Sequence, residues 1–351
     1  MTQLSTITET KIVLIAVALI IASGCSRQSA PVFGPVDPPL VWPAAPDPTR
    51  ISYLGKLANT DDLHPADSGW TKFKQALTGK KDNWHRLVSP KCVAVYRDRV
   101  YVSDTGRGDI VVFDMNTRRT KAMTAPSGKT RFMPACLALS ETRLFVSDAS
   151  TNSIDVFDHD GKYLASWNSP QLSRPAGLCW CPTHRQLYVV DIGNHRVIRF
   201  DEQGHAVGTF GSRGTGPGEF NFPLYITCDE KLGLLITDAL NTRVQRFSLG
   251  GEFISSFGHE GDAAGSFARP KGLACDTDGH IYVVDSNFEN VQIFDPQGQL
   301  LLSFGGEGRS AGQFSLPDGI AIDSQDRIWV ADAYNQRVQV FQYHKAKGEP
   351  Q

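Results

Sequence analysis

Residues 267–314 read FARPKGLACDTDGHIYVVDSNFENVQIFDPQGQLLLSFGGEGRSAGQF, and this stretch decides the fold. Pro270 precedes a short apolar run, and a second apolar run ends at Asp285. Phe294 follows nine residues later, and a glycine turn leads into a last apolar run that ends at Phe304. Short apolar runs separated by turn residues are typical of antiparallel strands. The stretch therefore predicts one unit of four antiparallel strands.

The same landmarks recur six times along the chain, with 43 to 47 residues between successive aspartates. Four strands per unit and a period in the forties indicate the blades of a β-propeller. The recurring aspartates are Asp104, Asp148, Asp191, Asp238, Asp285 and Asp332. The phenylalanines that follow them are Phe113, Phe157, Phe200, Phe247, Phe294 and Phe341. The leading prolines are Pro90, Pro134, Pro175, Pro223, Pro270 and Pro317.

Over residues 90–343 these units resemble the NHL-repeat family. The match is close in the last unit, where Asp332 is followed by Asn335 and Arg337. The first two units depart from the pattern, since Cys92 and Cys136 stand where the family has glycine. The resemblance implies an all-β fold, a six-bladed β-propeller with four-stranded antiparallel blades. It is specific for fold and says little about function, because one scaffold hosts many functions.

Residues 1–24 are interpreted as a lipoprotein signal peptide. Lys11 precedes a short apolar run that is too short to span a bilayer and ends in small residues before Cys25. The segment Ala22–Cys25 resembles the bacterial lipobox, which implies that Cys25 is acylated. The resemblance further implies that Ser26 favours the outer membrane, facing the periplasm or the cell surface. An ordinary cleaved signal peptide with a chance cysteine is the alternative.

Three further segments precede the repeats. Residues 25–50 carry seven prolines from residue 31 onward and predict an extended, semi-rigid tether. Residues 51–58 resemble the last strand of a blade, and we expect them to complete blade six within a domain that spans 51–345. Residues 60–89 do not fit the repeat and predict one short helix before blade 1, with Trp70, Phe73 and Leu77 at helical spacing. That helix either packs on the propeller or binds a partner or a membrane surface.

Composition narrows the possible functions. The formal net charge is −2 and no basic stripe occurs, so no nucleic-acid partner is expected. Besides Cys25 the chain has six cysteines, all in the first strand of a blade, which are interpreted as small apolar thiols. If any pair is bridged, Cys92 and Cys136 of adjacent blades are the first candidates. The fold is expected to be monomeric.

The residue after each repeat proline should point towards the mouth of the central channel. Three of these residues are polar, namely Lys91, Lys271 and Asp318, and none is histidine. A propeller lyase that this chain resembles in architecture holds zinc with histidines at such positions, so a zinc site is not expected. The set is also too small for a divalent-cation cage. No metal, cofactor or catalytic residue is therefore predicted.

The repeat aspartates are interpreted as structural, because an aspartate in the same place of every blade is suited to bind the amides of the following turn. Loop positions that differ between blades are better candidates for recognition, since exposed aromatic residues on a rigid ring suit an interface. The candidate binding face comprises Lys91, Arg107, His195, Leu240, Lys271, Phe288, Asp318 and Tyr334.

Two functions remain open at this point. The first is a lipid-anchored propeller without enzyme activity that binds another envelope protein, a peptide or a glycan as a scaffold. The alternative is an envelope hydrolase or lyase, similar to lactonases or amidating lyases, with its site at the channel mouth around Lys91, Lys271 and Asp318.

Overall fold

The computed structural model describes residues 31–64 and 86–345. The predicted signal peptide, the lipidation site Cys25 and the helix expected around Trp70 lie outside the described residues. The first described part ends with a single turn of 3-10 helix, Thr60–Leu63. The second begins with residues 86–89, which lead into the first repeat.

Strands dominate the described part of the chain. Two strands precede the repeats: β1 (Val41–Trp42) and β2 (Ile51–Leu57). Blade 1 contains β3 (Pro90–Tyr96), β4 (Arg99–Asp104), β5 (Asp109–Asp114) and β6 (Arg119–Met123). Blade 2 contains β7 (Pro134–Leu139), β8 (Arg143–Asp148), β9 (Ser153–Asp158) and β10 (Tyr163–Asn168). Blade 3 contains β11 (Pro175–Cys181), β12 (Gln186–Asp191), β13 (Arg196–Phe200) and β14 (Ala206–Phe210).

The remaining blades follow the same order. The short strands β15 (Ser212–Arg213) and β16 (Glu219–Phe220) pair in parallel in the loop that leads to blade 4. Blade 4 contains β17 (Pro223–Asp229), β18 (Gly233–Asp238), β19 (Arg243–Phe247) and β20 (Phe253–Phe257). Blade 5 contains β21 (Pro270–Cys275), β22 (Ile281–Asp285), β23 (Asn290–Phe294) and β24 (Leu300–Gly305). Blade 6 begins with β25 (Pro317–Ile322), β26 (Arg327–Asp332) and β27 (Arg337–Tyr343). Two more 3-10 turns follow second strands, Ile192–Asn194 and Ala239–Asn241.

The six blades form a closed ring around their first strands. Each first strand lies beside the first strand of the next blade, and β25 of blade 6 lies beside β3 of blade 1. Within blades 1 to 5 the four strands pair antiparallel in chain order. The predicted six-bladed propeller with four-stranded blades is therefore confirmed, and blade 6 differs only in how it is completed.

Blade 6 takes its fourth strand from the N-terminal side of the repeats. Strand β2 pairs antiparallel with β27, from Ile51 opposite Tyr343 to Leu57 opposite Val338. Ile51 and Leu57 are fully buried. The predicted closing strand is confirmed, and this closure joins the two ends of the repeat region within one sheet.

The interpretation of residues 25–50 as a free tether is wrong for residues 32–50. Strand β1 pairs with β2 and gives blade 6 a fifth strand. The indole of Trp42 packs on Phe304 and Phe341, each with ring centroids 5.8 Å away, and Phe33 packs edge-on against Trp329 at 5.8 Å. These apolar side chains within a proline-rich stretch gain more from burial than from remaining in solvent.

The core lies between neighbouring blades, which approach closely near the channel. A Cβ atom added to Gly272 or Gly319 would lie 2.7 Å or 2.6 Å from a backbone oxygen of the next blade, so glycine is required there. The phenylalanine of each repeat is buried. The six cysteines of the described residues are free thiols, including Cys92 and Cys136. Among the helices of the described residues, none has the length and apolar character to cross a bilayer.

Candidate functional site

One end of the ring carries the start of each first strand and the end of each second strand. Pro90 pairs with Asp104 in blade 1, and the equivalent proline and aspartate pair in every other blade. The turn between the second and third strands therefore lies at this end of the ring. The loop that enters each blade also reaches its blade there. We call this end the aspartate face and the other end the opposite face.

The six repeat aspartates are fully buried at the aspartate face and accept several hydrogen bonds each. Asp285 accepts the amides of Ala268 and Arg269 from the entering loop and those of Asn287 and Phe288 from its own turn. An ionised carboxylate that accepts several amide hydrogen bonds is stable when buried. The aspartates thus join each turn to the loop before it. The predicted bonds to the amides of the following turn occur in blades 1, 2 and 5. In blades 3, 4 and 6 the aspartate accepts instead from the asparagine and arginine side chains that follow it.

In blades 3, 4 and 6 an arginine five residues after the aspartate strengthens this junction. Arg337 Nε lies 2.8 Å from an oxygen of Asp332, and its other nitrogen donates to the carbonyls of Ser310 and Gln313 in the entering loop. Burial raises the pKa of Asp332 above its ordinary value, while the hydrogen bonds and the charge of Arg337 oppose that shift. The cation therefore offsets part of the desolvation cost of the carboxylate.

Blades 1, 2 and 5 lack this arginine, and blades 1 and 2 have other cations in this region. In blade 1, Arg107 pairs with Asp109 at 2.8 Å and donates to the carbonyl of Arg86. In blade 2, Lys129 enters from the preceding loop and its ammonium contacts both Asp148, at 3.0 Å, and the buried Asp155. Arg107 was predicted as a recognition residue, but it is half-buried and holds its own loop together.

His195 also makes a structural contact, and its predicted role in recognition stays a prediction. It adopts φ of 53°, and its Nδ1 lies 3.2 Å from the amide nitrogen of Phe222, the residue before the proline of the next blade. Its ring also packs edge-on against the Phe222 ring. Asn152 and Glu289 occupy the same position of their blades, with positive φ, and accept the amides of Arg174 and Leu316 in the same way. This position therefore links one blade to the next.

Two of the three polar residues predicted at the channel mouth meet there. Lys271 Nζ lies 2.9 Å from Asp318 Oδ2, and both side chains are largely buried. The third partner was not predicted: the Tyr225 hydroxyl donates to Asp318 Oδ1 at 2.6 Å and lies 3.2 Å from the carbonyl oxygen of Lys91. Burial raises the pKa of Tyr225 well above its ordinary value, so the hydroxyl stays protonated.

Tyr225 reaches from blade 4 across the channel to blades 6 and 1 and closes the channel at the aspartate face. The other blades have cysteine or glycine at this position, two residues after the proline. An aromatic residue among small ones was the sequence signal that could have identified this plug. The channel mouth was expected to be open at this face, but Tyr225 fills it. Lys271 and Asp318 bind each other there.

Two apolar side chains at the rim of the aspartate face are strongly exposed to solvent. Tyr334 is 71% exposed and Leu240 is 59% exposed, both two residues after their aspartates, while the predicted Phe288 is half-buried. The sequence analysis missed three further exposed residues, which precede the first strands: Val88, Met133 and Leu316. An apolar residue directly before a repeat proline was the available signal for Met133 and Leu316.

Two family models match parts of this chain. An NHL repeat matches residues 314–341 and a six-bladed β-propeller model matches residues 178–272. The chain is an NHL-repeat six-bladed β-propeller. Among curated proteins, none matches the chain significantly.

Solved structures share the architecture of this NHL propeller at low sequence identity. A Bacteroides thetaiotaomicron protein of unknown function is 16% identical, with a TM-score of 0.59 over 74% of this chain and 70% of that one. An auxiliary nutrient binding protein of the same organism is 12% identical, with a TM-score of 0.58 over 74% and 70%. Virginiamycin B lyase from Staphylococcus aureus is 15% identical, with a TM-score of 0.55 over 73% and 96%. At such identities the likeness establishes the fold alone.

The NHL propeller has a central cavity of about 320 Å³ between its first strands, on the far side of Tyr225 from the aspartate face. The described residues contain no group of three or more His, Cys, Asp and Glu side chains arranged to hold a metal ion. Burial raises the pKa of the Cys92, Cys179 and Cys275 thiols around the cavity, so these thiols are neutral.

Proposed function

We propose that this NHL propeller is a lipid-anchored binding module of the cell envelope that holds another envelope protein on its aspartate face. The observation that carries the proposal is the exposure of Tyr334 and Leu240 on turns fixed by buried aspartate networks. Exposed apolar residues on a rigid scaffold lose little conformational entropy on binding. Aromatic anchors of this kind dominate the energy of many interfaces.

The turn that presents Tyr334 is held from both sides. Asp332 accepts from Asn335 and Arg337 within the turn, and the amide of Tyr334 donates to the carbonyl of Ser315 at 3.1 Å. Leu316 lies next to Ser315, 42% exposed and at φ of 48°, a conformation that leucine rarely adopts. The backbone bond between Tyr334 and Ser315 joins the two segments, and the proposed binding surface includes both Tyr334 and Leu316.

The anchor rests on the sequence around Cys25, which supports attachment to lipid and a position in the envelope, at the outer membrane. The alternative function, a hydrolase or lyase at the channel mouth, receives no support from the geometry. Lys271 and Asp318 neutralise one another and Tyr225 occupies the space that a substrate would need.

Affinity purification from detergent-solubilised membranes tests the proposal. We expect the full-length chain to retain a defined envelope protein, and Tyr334→Ala and Leu240→Ala to lower the retained amount at least tenfold each, since loss of a hot-spot side chain costs about 2 kcal/mol or more. The matched control is Leu301→Ala, because Leu301 is 52% exposed on the outer strand of blade 5. Full retention by both rim variants would contradict the proposed surface.

A further inference from the structure

The central cavity opens at the opposite face, away from the surface proposed above. Along most first strands, burial decreases towards that face: Cys92 is buried but Val95 is half-buried, and Tyr225 is buried but Asp229 is half-buried. Tyr225 forms the floor, since it closes the channel at the aspartate face. The cavity is thus a blind funnel with a single entrance.

Most side chains that line the funnel are apolar, although about half of the exposed lining surface is polar, and one aromatic side chain lies near the entrance. Trp180 of blade 3 lines the cavity and is half-buried, and its indole stacks on Phe145 at 5.5 Å with 16° between the rings. This stacking fixes the plane of the indole. The remaining wall near the entrance is aliphatic, formed by Val95, Leu139 and Ile322.

Asp229 is the charged residue among those that line the funnel. Its Oδ1 accepts the backbone amides of Lys231 and Leu232 at 2.9 Å and 2.8 Å, so the carboxylate is held in place at the end of β17. Both donors are neutral backbone amides, so these hydrogen bonds do not neutralise the charge of the Asp229 carboxylate. A negative charge that is held in place therefore stands at the entrance of the funnel.

Two cations lie on the same blade as Asp229: the exposed Lys231, two residues further on, and Arg246, whose guanidinium donates to the carbonyls of Leu232 and Lys231. A cleft between the turns of blades 1 and 6 shares Val95 and Ile322 with the funnel and contains Arg97 and Arg327. Arg327 pairs with Asp323 at 2.7 Å, and the Arg97 guanidinium lies 5.1 Å from the centre of the Tyr96 ring. Neither arginine is shown to pair with Asp229 in the described residues.

We propose that this funnel binds a small organic cation, with an apolar or aromatic body against Trp180 and the aliphatic wall and an ammonium group beside Asp229. A charge pair in partly apolar surroundings is stronger than in water. The indole face adds attraction for a cation. The volume is at the lower end of the range of about 300–1,000 Å³ for ligand pockets, so the ligand is small.

Isothermal titration of the full-length chain with three phenyl-bearing probes of similar size tests this proposal. The probes are phenethylamine, the neutral 2-phenylethanol and the anionic 3-phenylpropionate. We expect phenethylamine to bind at least tenfold more tightly than 2-phenylethanol, and 3-phenylpropionate to bind most weakly because its carboxylate is repelled by Asp229.

Two variants separate the roles of charge and shape. Asp229→Asn keeps an oxygen acceptor for the two amides and should lower phenethylamine affinity at least tenfold while 2-phenylethanol is unaffected. Ile322→Phe fills the entrance and should weaken both probes. The matched control is Asp295→Asn, because Asp295 accepts two amides in a similar turn outside the funnel.

Three results would overturn the proposal: equal binding of amine and carboxylate, unchanged amine binding by Asp229→Asn, or no binding of any probe at millimolar concentration. Because every variant lies away from the aspartate face, failure of this inference and failure of the proposed partner surface are distinguishable.

Discussion

At the scale of single residues, the six repeat aspartates share one requirement: a buried carboxylate must be compensated. The blades meet this requirement in different ways. Each is fully buried, so each needs hydrogen-bond donors or a cation nearby. Arg337 lies five residues after Asp332, so its contact with the aspartate is local in sequence. Lys129 could not be predicted, since it reaches Asp148 from a loop 19 residues earlier in the chain.

Replacing the cation of blade 2 should therefore be costly. Lys129→Met leaves Asp148 and Asp155 buried without a counter-ion, and we expect the free energy of unfolding at pH 7 to fall by about 3 kcal/mol. Urea denaturation measures the loss. Lys162→Met, at an exposed lysine in the same blade, is the control and should change stability by less than about 0.5 kcal/mol.

The pH dependence of this difference follows from the two pKa shifts. Burial opposes ionisation of Asp148, but its hydrogen bonds outweigh burial and lower its pKa. Its stabilisation is therefore complete above the ordinary value of 3.8 and is lost as the pH falls through the folded pKa. Burial also opposes the charge of Lys129, but its carboxylate partners raise its pKa, so its contribution is complete below the ordinary 10.5. A difference that did not shrink below about pH 4 would contradict this assignment.

At the scale of elements, the N-terminal segment illustrates what a pattern can and cannot indicate. Strand β2 was predictable because its seven residues resemble the last strand of other blades. Strand β1 has two residues among prolines, which is too short for any periodicity. Its attachment depends on Trp42 and Phe33 finding surfaces on blade 6, a contact between elements that local sequence does not encode.

Removing the anchor of this fifth strand should destabilise blade 6. For Trp42→Ala we expect a loss of about 2 kcal/mol, less than for a fully buried tryptophan because Trp42 is half-buried. Guanidinium denaturation of full-length protein measures the change, with Leu301→Ala as an exposed apolar control. An unchanged midpoint would show that residues 32–50 contribute nothing to the stability of the propeller.

At the scale of the whole molecule, Tyr225 connects opposite sides of the ring. Its two acceptors lie 93 and 134 residues away in the chain. The hydroxyl therefore joins blade 4 to blades 6 and 1, and together with Lys271 and Asp318 it determines which end of the channel is closed. The closed aspartate face and the open funnel both follow from this one side chain.

Tyr225→Phe keeps the ring and removes the hydroxyl. We expect the free energy of unfolding to fall by about 2 kcal/mol, because Asp318 loses a hydrogen bond to a charged acceptor. Because burial raises the folded pKa of Tyr225 above its ordinary value of 10.0, the difference should be constant up to about pH 10 and decrease above it. Equal stability of variant and native chain at pH 7, measured by thermal unfolding, would show that the plug does not hold the ring together.

The sequence by itself determined the number of blades, the strand order within them and the closing strand, because each depends on landmarks repeated at short range. It also indicated that the aspartates are structural and that Tyr334 and Leu240 differ from their counterparts in other blades. Only the tertiary structure decided that Arg107 binds within its own loop, that His195 links its blade to the next, that the aspartate face is plugged and that a funnel opens on the opposite face. Those features arise where side chains from distant blades meet around the axis, and no local pattern records which of them will touch.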